Sequence, residues 1–137
     1  MRAVTTALDA ERMATREALG YGAPHFPLAD HYAKTGDEWM YGRGSHDRLT
    51  DSGDWREHIV LTQHRYMLED TRIGLSFWLS VAALAKVPMP LAGAFLSIGG
   101  AICGEDFMRT GRTLEGMGLG AYDQAQLQQL LRDGFHE

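Results

Sequence analysis

Cysteine and clustered positive charge are both scarce in this 137-residue sequence. The single cysteine, Cys103, excludes an internal disulfide framework, and this sparse use of cysteine is typical of a cytoplasmic protein. The 13 basic residues are outnumbered by 18 acidic ones, which gives a net charge of −5, and they form no basic run. Because a nucleic-acid-binding surface needs concentrated positive charge, the composition predicts no nucleic acid partner.

The sequence also lacks an uninterrupted apolar stretch long enough to span a membrane. Residues 1–10 contain no continuous apolar core, so no secretory signal is predicted there. From 73 to 104 the one charged residue is Lys86, but Pro88 and Pro90 divide this stretch. Each piece is shorter than the roughly 20 residues that a spanning helix requires. We therefore expect two buried helices joined at a Val-Pro-Met-Pro corner, and no membrane partner.

Alternating apolar and polar residues, the mark of a half-buried strand, are not found, and the fold class is predicted to be all-α. The whole range 1–137 is short enough for a single domain, here a helical bundle. Helical spacing is present over 5–19, 28–41, 55–67 and 73–87, from Pro90 onward, and from Asp123, with Gln126 as its capping-box partner. The polar residues 42–54 and the glycine-rich residues 109–121 are predicted connectors.

Neither the glycines nor the histidines indicate a cofactor site. Gly116, Gly118 and Gly120 superficially resemble a nucleotide-binding loop, but that loop must follow a strand and open a helix. The histidines show no His-Glu-x-x-His spacing, so no metal site is predicted. This chain alone is expected to bind no NAD or NADP and no metal.

Residues 64–70, His-Arg-Tyr-Met-Leu-Glu-Asp, place several ionisable groups directly before the most hydrophobic helix. Arg65 could bind a carboxylate with two parallel hydrogen bonds, and Asp70 could orient a histidine supplied from elsewhere. A structural interpretation is also available, in which Arg65 pairs with Glu69 and Asp70 caps the following helix. Spacing alone favours the structural interpretation.

Four segments, in order along the chain, resemble the α-helical domain of the octopine/nopaline (opine) dehydrogenase family. The segment RYMLED at 65–70 with Gly-Leu at 74–75 is similar to that domain's R-Y-x-x-E-D … G-L signature. VPMP at 87–90 resembles its proline corner, and GRTLEGMGL at 111–119 resembles its G-R-T-L-E-x-L-G-L segment. LDAER at 8–12 is similar to its L-D-x-E-R motif. Together the four motifs extend the resemblance over most of the chain.

The resemblance implies an oxidoreductase, dependent on NAD or NADP, that condenses an amino acid or amine with a 2-oxo acid and reduces the imine with NADH or NADPH. By matching position, Arg65 would hold the 2-oxo acid carboxylate and Asp70 would support the catalytic histidine. Trp39 and Tyr41 would line the amine side of the pocket. In the family, that histidine lies upstream of the matched residues, so none of the six histidines here is assigned to it.

No dinucleotide-binding domain is recognised in 1–137, so the chain is expected to be inactive without a Rossmann domain or subunit. A fragment and a natural half-enzyme are both compatible with the sequence. The alternative is a non-catalytic module for small-acid binding or oligomerisation, derived from the same domain. Because a half-enzyme would retain an apolar face for its partner, a homo-oligomer is expected.

Overall fold

A computed structural model describes residues 2–31 and 58–135, and every regular element in these two ranges is helical. The elements are α1 (Arg2–Ala18), α2 (Leu28–His31), a 3-10 turn (Leu61–Gln63), a π-helix (Tyr66–Leu75), α3 (Ser76–Leu84), α4 (Pro90–Cys103), α5 (Phe107–Thr110) and α6 (Gln124–Asp133). This confirms the all-α fold class. No described helix is both long and apolar enough to cross a bilayer.

Helix α4 lies at the centre of the described part and packs against α1, α5 and the π-helix. One cluster of buried side chains joins Met67, Leu96 and Phe107, and a second joins Ala82, Met89 and Ala92. The predicted start of a helix at the 87–90 corner is confirmed. Helix α4 has proline in its first turn, where the missing N–H costs no hydrogen bond.

The segment from 66 to 84 is one continuous helical run whose first ten residues have π geometry. The sequence predicts a helix over 55–67 and another from 73. In the described part of the first prediction, 65–67 are helical, whereas 58–60 and 64 are not and 61–63 form a 3-10 turn. The second predicted helix begins at 73, whereas the π-helix in the structure begins at 66. Because π-helices are rare and often occur at functional sites, this segment bears directly on the candidate residues.

The LDAER segment on α1 ties three parts of the chain together. The Asp9 carboxylate accepts from the backbone N–H of Leu28 at 2.6 Å and from Arg12 Nε at 2.6 Å. Arg12 also donates to the carbonyl oxygens of His25 and Phe26. These contacts fix the chain between α1 and α2.

Glu11, in the same segment, caps the beginning of α4. Its two carboxylate oxygens accept from the backbone N–H groups of Leu91 and Ala92 at 2.7 and 3.0 Å. The first N–H groups of a helix have no partner inside the helix and carry partial positive charge. Glu11 therefore orients the central helix relative to α1.

The C-terminal helix α6 starts with the predicted capping box between Asp123 and Gln126, and Gly134 ends it. Its glutamines Gln124 and Gln128 donate to the carbonyl oxygens of Ala18 and Leu19 at the end of α1. Helix α6 is therefore attached to the bundle by polar contacts that satisfy the last carbonyl groups of α1.

Candidate functional site

Arg65 directly precedes the π-helix, and its side chain points into solvent. The side chain is 67% exposed, and its Nε lies 3.9 Å from a carboxylate oxygen of Glu69. The guanidinium carbon also lies 5.8 Å from the centre of the Tyr66 ring, within the range of a cation–π contact. The predicted pairing of Arg65 with Glu69 is thus present, but it is long and exposed, which makes it a weak interaction.

Asp70 lies inside the π-helix and is exposed. It does not cap the beginning of a helix, so that part of the structural interpretation is wrong. In a π-helix each N–H bonds to the carbonyl oxygen five residues earlier, so residues with this spacing lie on successive turns and on the same side of the helix. Arg65 and Asp70 are five residues apart, so the backbone places both on the same side of the helix, outside the buried core.

The inward side of the π-helix explains why these two residues face outward. Met67 is buried, and Thr71 and Leu75 are partly buried, at intervals of four residues. Gly99 of α4 approaches this side so closely that a Cβ atom there would lie 2.9 Å from Thr71 Cγ2 and 3.1 Å from Met67 Sδ. The outward side therefore carries Arg65, Glu69 and Asp70.

Trp39 and Tyr41, which the resemblance places on the amine side of the pocket, lie outside the described residues. Their assignment stays a prediction.

An aromatic group beside Arg65 was not predicted from the sequence. The rings of His64 and Tyr66 are 4.6 Å apart, and His64 Nδ1 accepts from the Tyr66 backbone N–H at 3.3 Å. Tyr66 is 61% exposed, so its ring covers little of the core and instead lines the surface next to the guanidinium. The sequence signal available for this ring contact is the order His-Arg-Tyr at 64–66, which places two rings two residues apart on either side of Arg65.

Arg72 has a different role from Arg65. Its Nη2 lies 3.3 Å from Glu105 Oε2, which also accepts from the Thr110 hydroxyl. This links the π-helix to the turn between α4 and α5. Arg72 is about two thirds buried, so its charge is engaged within the fold, and Arg65 is the more available cation for a ligand.

The described residues contain no βαβ unit of the kind that binds a dinucleotide. Gly116, Gly118 and Gly120 lie in turns that follow the short helix α5, and neither described range contains a strand that could begin a βαβ unit. Within these ranges no group of three or more histidine, cysteine, aspartate or glutamate side chains is arranged to hold a metal ion.

Two comparisons with known proteins bear on this geometry. The family model for the NAD/NADP octopine/nopaline dehydrogenase α-helical domain matches residues 1–103, which include the π-helix and all of α4. A vitopine synthase from Allorhizobium ampelinum is 37% identical over 57 residues, which are 42% of this chain and 16% of that protein. The match thus covers less than a fifth of the length of that relative. The family match extends over well more than half of the chain, and the chain therefore belongs to the octopine/nopaline dehydrogenase family, in its α-helical domain.

Proposed function

We propose that residues 1–137 form the substrate-handling helical domain of an opine-dehydrogenase-type oxidoreductase. The observation that carries this proposal is the outward presentation of Arg65 and Asp70 on one side of a π-helix, within the matched residues. A cation and a carboxylate in this arrangement can bind a 2-oxo acid and support an acid/base group at the same surface.

Arg65 binds the carboxylate of the 2-oxo acid. Its existing partner, Glu69, is 3.9 Å away and 69% exposed, so the pair is easily exchanged for a ligand. A guanidinium can donate two parallel hydrogen bonds to a carboxylate, which fixes the orientation of the acid as well as its position. The Tyr66 ring lies within cation–π range of the guanidinium, at 5.8 Å.

Asp70 orients a histidine supplied by another part of the protein. A carboxylate that accepts from one imidazole nitrogen fixes the tautomer and favours the protonated ring, as an acid/base group requires. Asp70 is exposed and can be reached by such a side chain. The 2-oxo acid would condense with an amino acid or amine with loss of water, and the imine would then be reduced by hydride from NADH or NADPH and a proton.

NAD or NADP would be held by a dinucleotide-binding domain or subunit, because the described residues include no βαβ unit. We assign no hydride-transfer step to this chain. The part that falls to it is to bind the carboxylate, orient the acid and hold the histidine.

Binding of pyruvate, the simplest 2-oxo acid, tests this role without any cofactor. Titration of the isotope-labelled chain, followed by nuclear magnetic resonance, should shift the Arg65 guanidinium signal. Arg65→Ala should weaken binding by about tenfold or more, which is the typical effect of losing a hydrogen bond to a charged group. Arg65→Lys should recover only part of the loss, because lysine lacks the planar pair of donors.

Glu69→Gln serves as the matched control for this titration. It removes the competing carboxylate and should leave pyruvate affinity unchanged or improve it. Equal pyruvate affinity in the parent and in Arg65→Ala would refute the assignment of Arg65.

The second candidate function is an oligomerisation module, and one surface favours it. Helix α4 exposes Phe95, Ile98 and Ile102, which are 37%, 56% and 46% exposed. Their spacing places them on one face of the helix. This α4 face, defined by these three residues, is apolar and suits a second copy of the chain, so we extend the proposal to a homo-oligomer.

A further inference from the structure

The hydroxyl group of Thr71 makes a hydrogen bond that an α-helix does not allow. Thr71 Oγ1 donates to the carbonyl oxygen of Tyr66 at 2.8 Å, and the two residues are five apart. In an α-helix a threonine hydroxyl reaches the carbonyl three or four residues earlier. The bond is therefore available only while this segment keeps π geometry.

We propose that Thr71 is a positioning residue for the carboxylate-binding site, because its hydroxyl stabilises the π-helix that brings Arg65 and Asp70 to one side. This proposal rests on the function proposed above, but it concerns the backbone and can be tested without a substrate.

The alternative α-helical geometry would separate the two site residues. In an α-helix, five residues advance about 7.5 Å along the axis, and at 3.6 residues per turn they rotate by about 140° beyond a full turn. Arg65 and Asp70 would then point in different directions. In the π-helix, residues five apart are joined by a backbone hydrogen bond, so the same two residues lie on successive turns and on the same side.

The surroundings of Thr71 allow its methyl and hydroxyl groups to be separated experimentally. The methyl carbon Cγ2 faces Gly99 of α4, where even one added carbon would lie within 2.9 Å. The hydroxyl faces the helix's own backbone. Thr71→Val keeps the methyl contact and removes the hydrogen bond, whereas Thr71→Ser removes the methyl contact and keeps the hydrogen bond.

A second hydroxyl acts at the other end of the π-helix. The Ser76 side chain is fully buried, and its Oγ lies 2.5 Å from the carbonyl oxygen of Arg72 and 3.0 Å from that of Arg112. Gly111 packs there without room for a Cβ atom, which would overlap the Arg72 carbonyl. The junction with α3 is thus fixed by tertiary contacts, and Thr71 acts on the end where Arg65 and Asp70 lie.

Disulfide formation between Arg65→Cys and Asp70→Cys, introduced together with Cys103→Ser, reports the geometry directly. A disulfide requires Cα atoms closer than about 7 Å, which residues five apart satisfy in a π-helix but not in an α-helix. We expect rapid intramolecular oxidation of this pair. The control pair Ser97→Cys with Ile102→Cys has the same spacing within α4, an α-helix, and should oxidise slowly.

Thr71→Val should slow oxidation of the 65–70 pair by about fivefold, the typical effect of one hydrogen bond on an equilibrium. Thr71→Ser should oxidise at the parent's rate. Oxidation of the 65–70 pair no faster than that of the 97–102 pair would overturn the proposal. The proposal would also be overturned if Thr71→Ser slowed oxidation of the 65–70 pair as much as Thr71→Val does. It would be overturned as well if Thr71→Val did not slow that oxidation. Failure of pyruvate binding with an intact oxidation pattern would instead reject the proposed function alone.

Discussion

The LDAER residues at 8–12, which resemble a motif of the family, make contacts that hold the fold together. Asp9 is 7% exposed and is engaged by Arg12 and by the Leu28 backbone, while Glu11 caps α4. Neither side chain approaches Arg65 or Asp70 among the contacts described. At the scale of single residues, a motif shared with an enzyme family can therefore identify the scaffold that positions a site as well as the site itself.

Replacement of Glu11 should reduce stability more than replacement of a comparable carboxylate on the same helix. Glu11→Gln retains one acceptor oxygen but loses the charge that complements the N-terminus of α4, so we expect a loss of about 1–2 kcal/mol in the free energy of unfolding. Glu17→Gln is the control, because Glu17 is 64% exposed and should contribute little. Urea denaturation measures both, and equal losses would contradict the capping role.

Two glycines of α4 should respond in opposite directions to the same substitution. A Cβ atom added at Gly93 would meet no other atom within 4 Å, whereas a Cβ at Gly99 would crowd Thr71, Met67 and Phe107. Gly93→Ala should raise the free energy of unfolding by about 0.5–1 kcal/mol through helix propensity. Gly99→Ala should lower it by about 1–3 kcal/mol through overpacking. Thermal denaturation would show this, and a stabilised Gly99→Ala variant would contradict the close approach of α4 to the π-helix.

At the scale of helices, a feature could be predicted from the sequence when the residues that determine it are neighbours in the chain. The capping box of α6 and the proline at the start of α4 are local chemistry, so both were predicted correctly. The π-helix was not predicted, because no local pattern distinguishes it from an α-helix. The residues that pack most closely against it, Gly99 and Gly111, come from distant parts of the chain.

At the scale of the whole molecule, the α4 face predicts self-association. Ile98→Asp places a charge at the centre of this face and should convert an oligomer to a monomer, because burying an unpaired charge is strongly unfavourable. Leu131→Asp is the control, since Leu131 is an equally apolar residue that is 76% exposed on a different helix, α6. Size-exclusion chromatography with light scattering gives the masses. A parent chain that is monomeric at micromolar concentration would refute the prediction.

The candidate site was predictable only in part, and for the same physical reason as the fold. The charges at 65 and 70 could be identified from the sequence, but their common orientation follows from the π-helix, which the sequence did not predict. Tyr66 gained a role only once its ring was placed beside the guanidinium. In the proposed function, catalysis also needs a histidine and a nucleotide from another domain or subunit.

The most direct test of the carboxylate-binding role of Arg65 is steady-state kinetics of an enzyme assembled from this chain and a dinucleotide-binding domain. Arg65→Ala should lower kcat/KM for the 2-oxo acid by about thirtyfold, on the order of 2 kcal/mol of lost binding to the carboxylate. The kcat/KM for NADH or NADPH, measured at saturating 2-oxo acid, should change much less. Equal losses for the 2-oxo acid and the nucleotide would mean that Arg65 is structural.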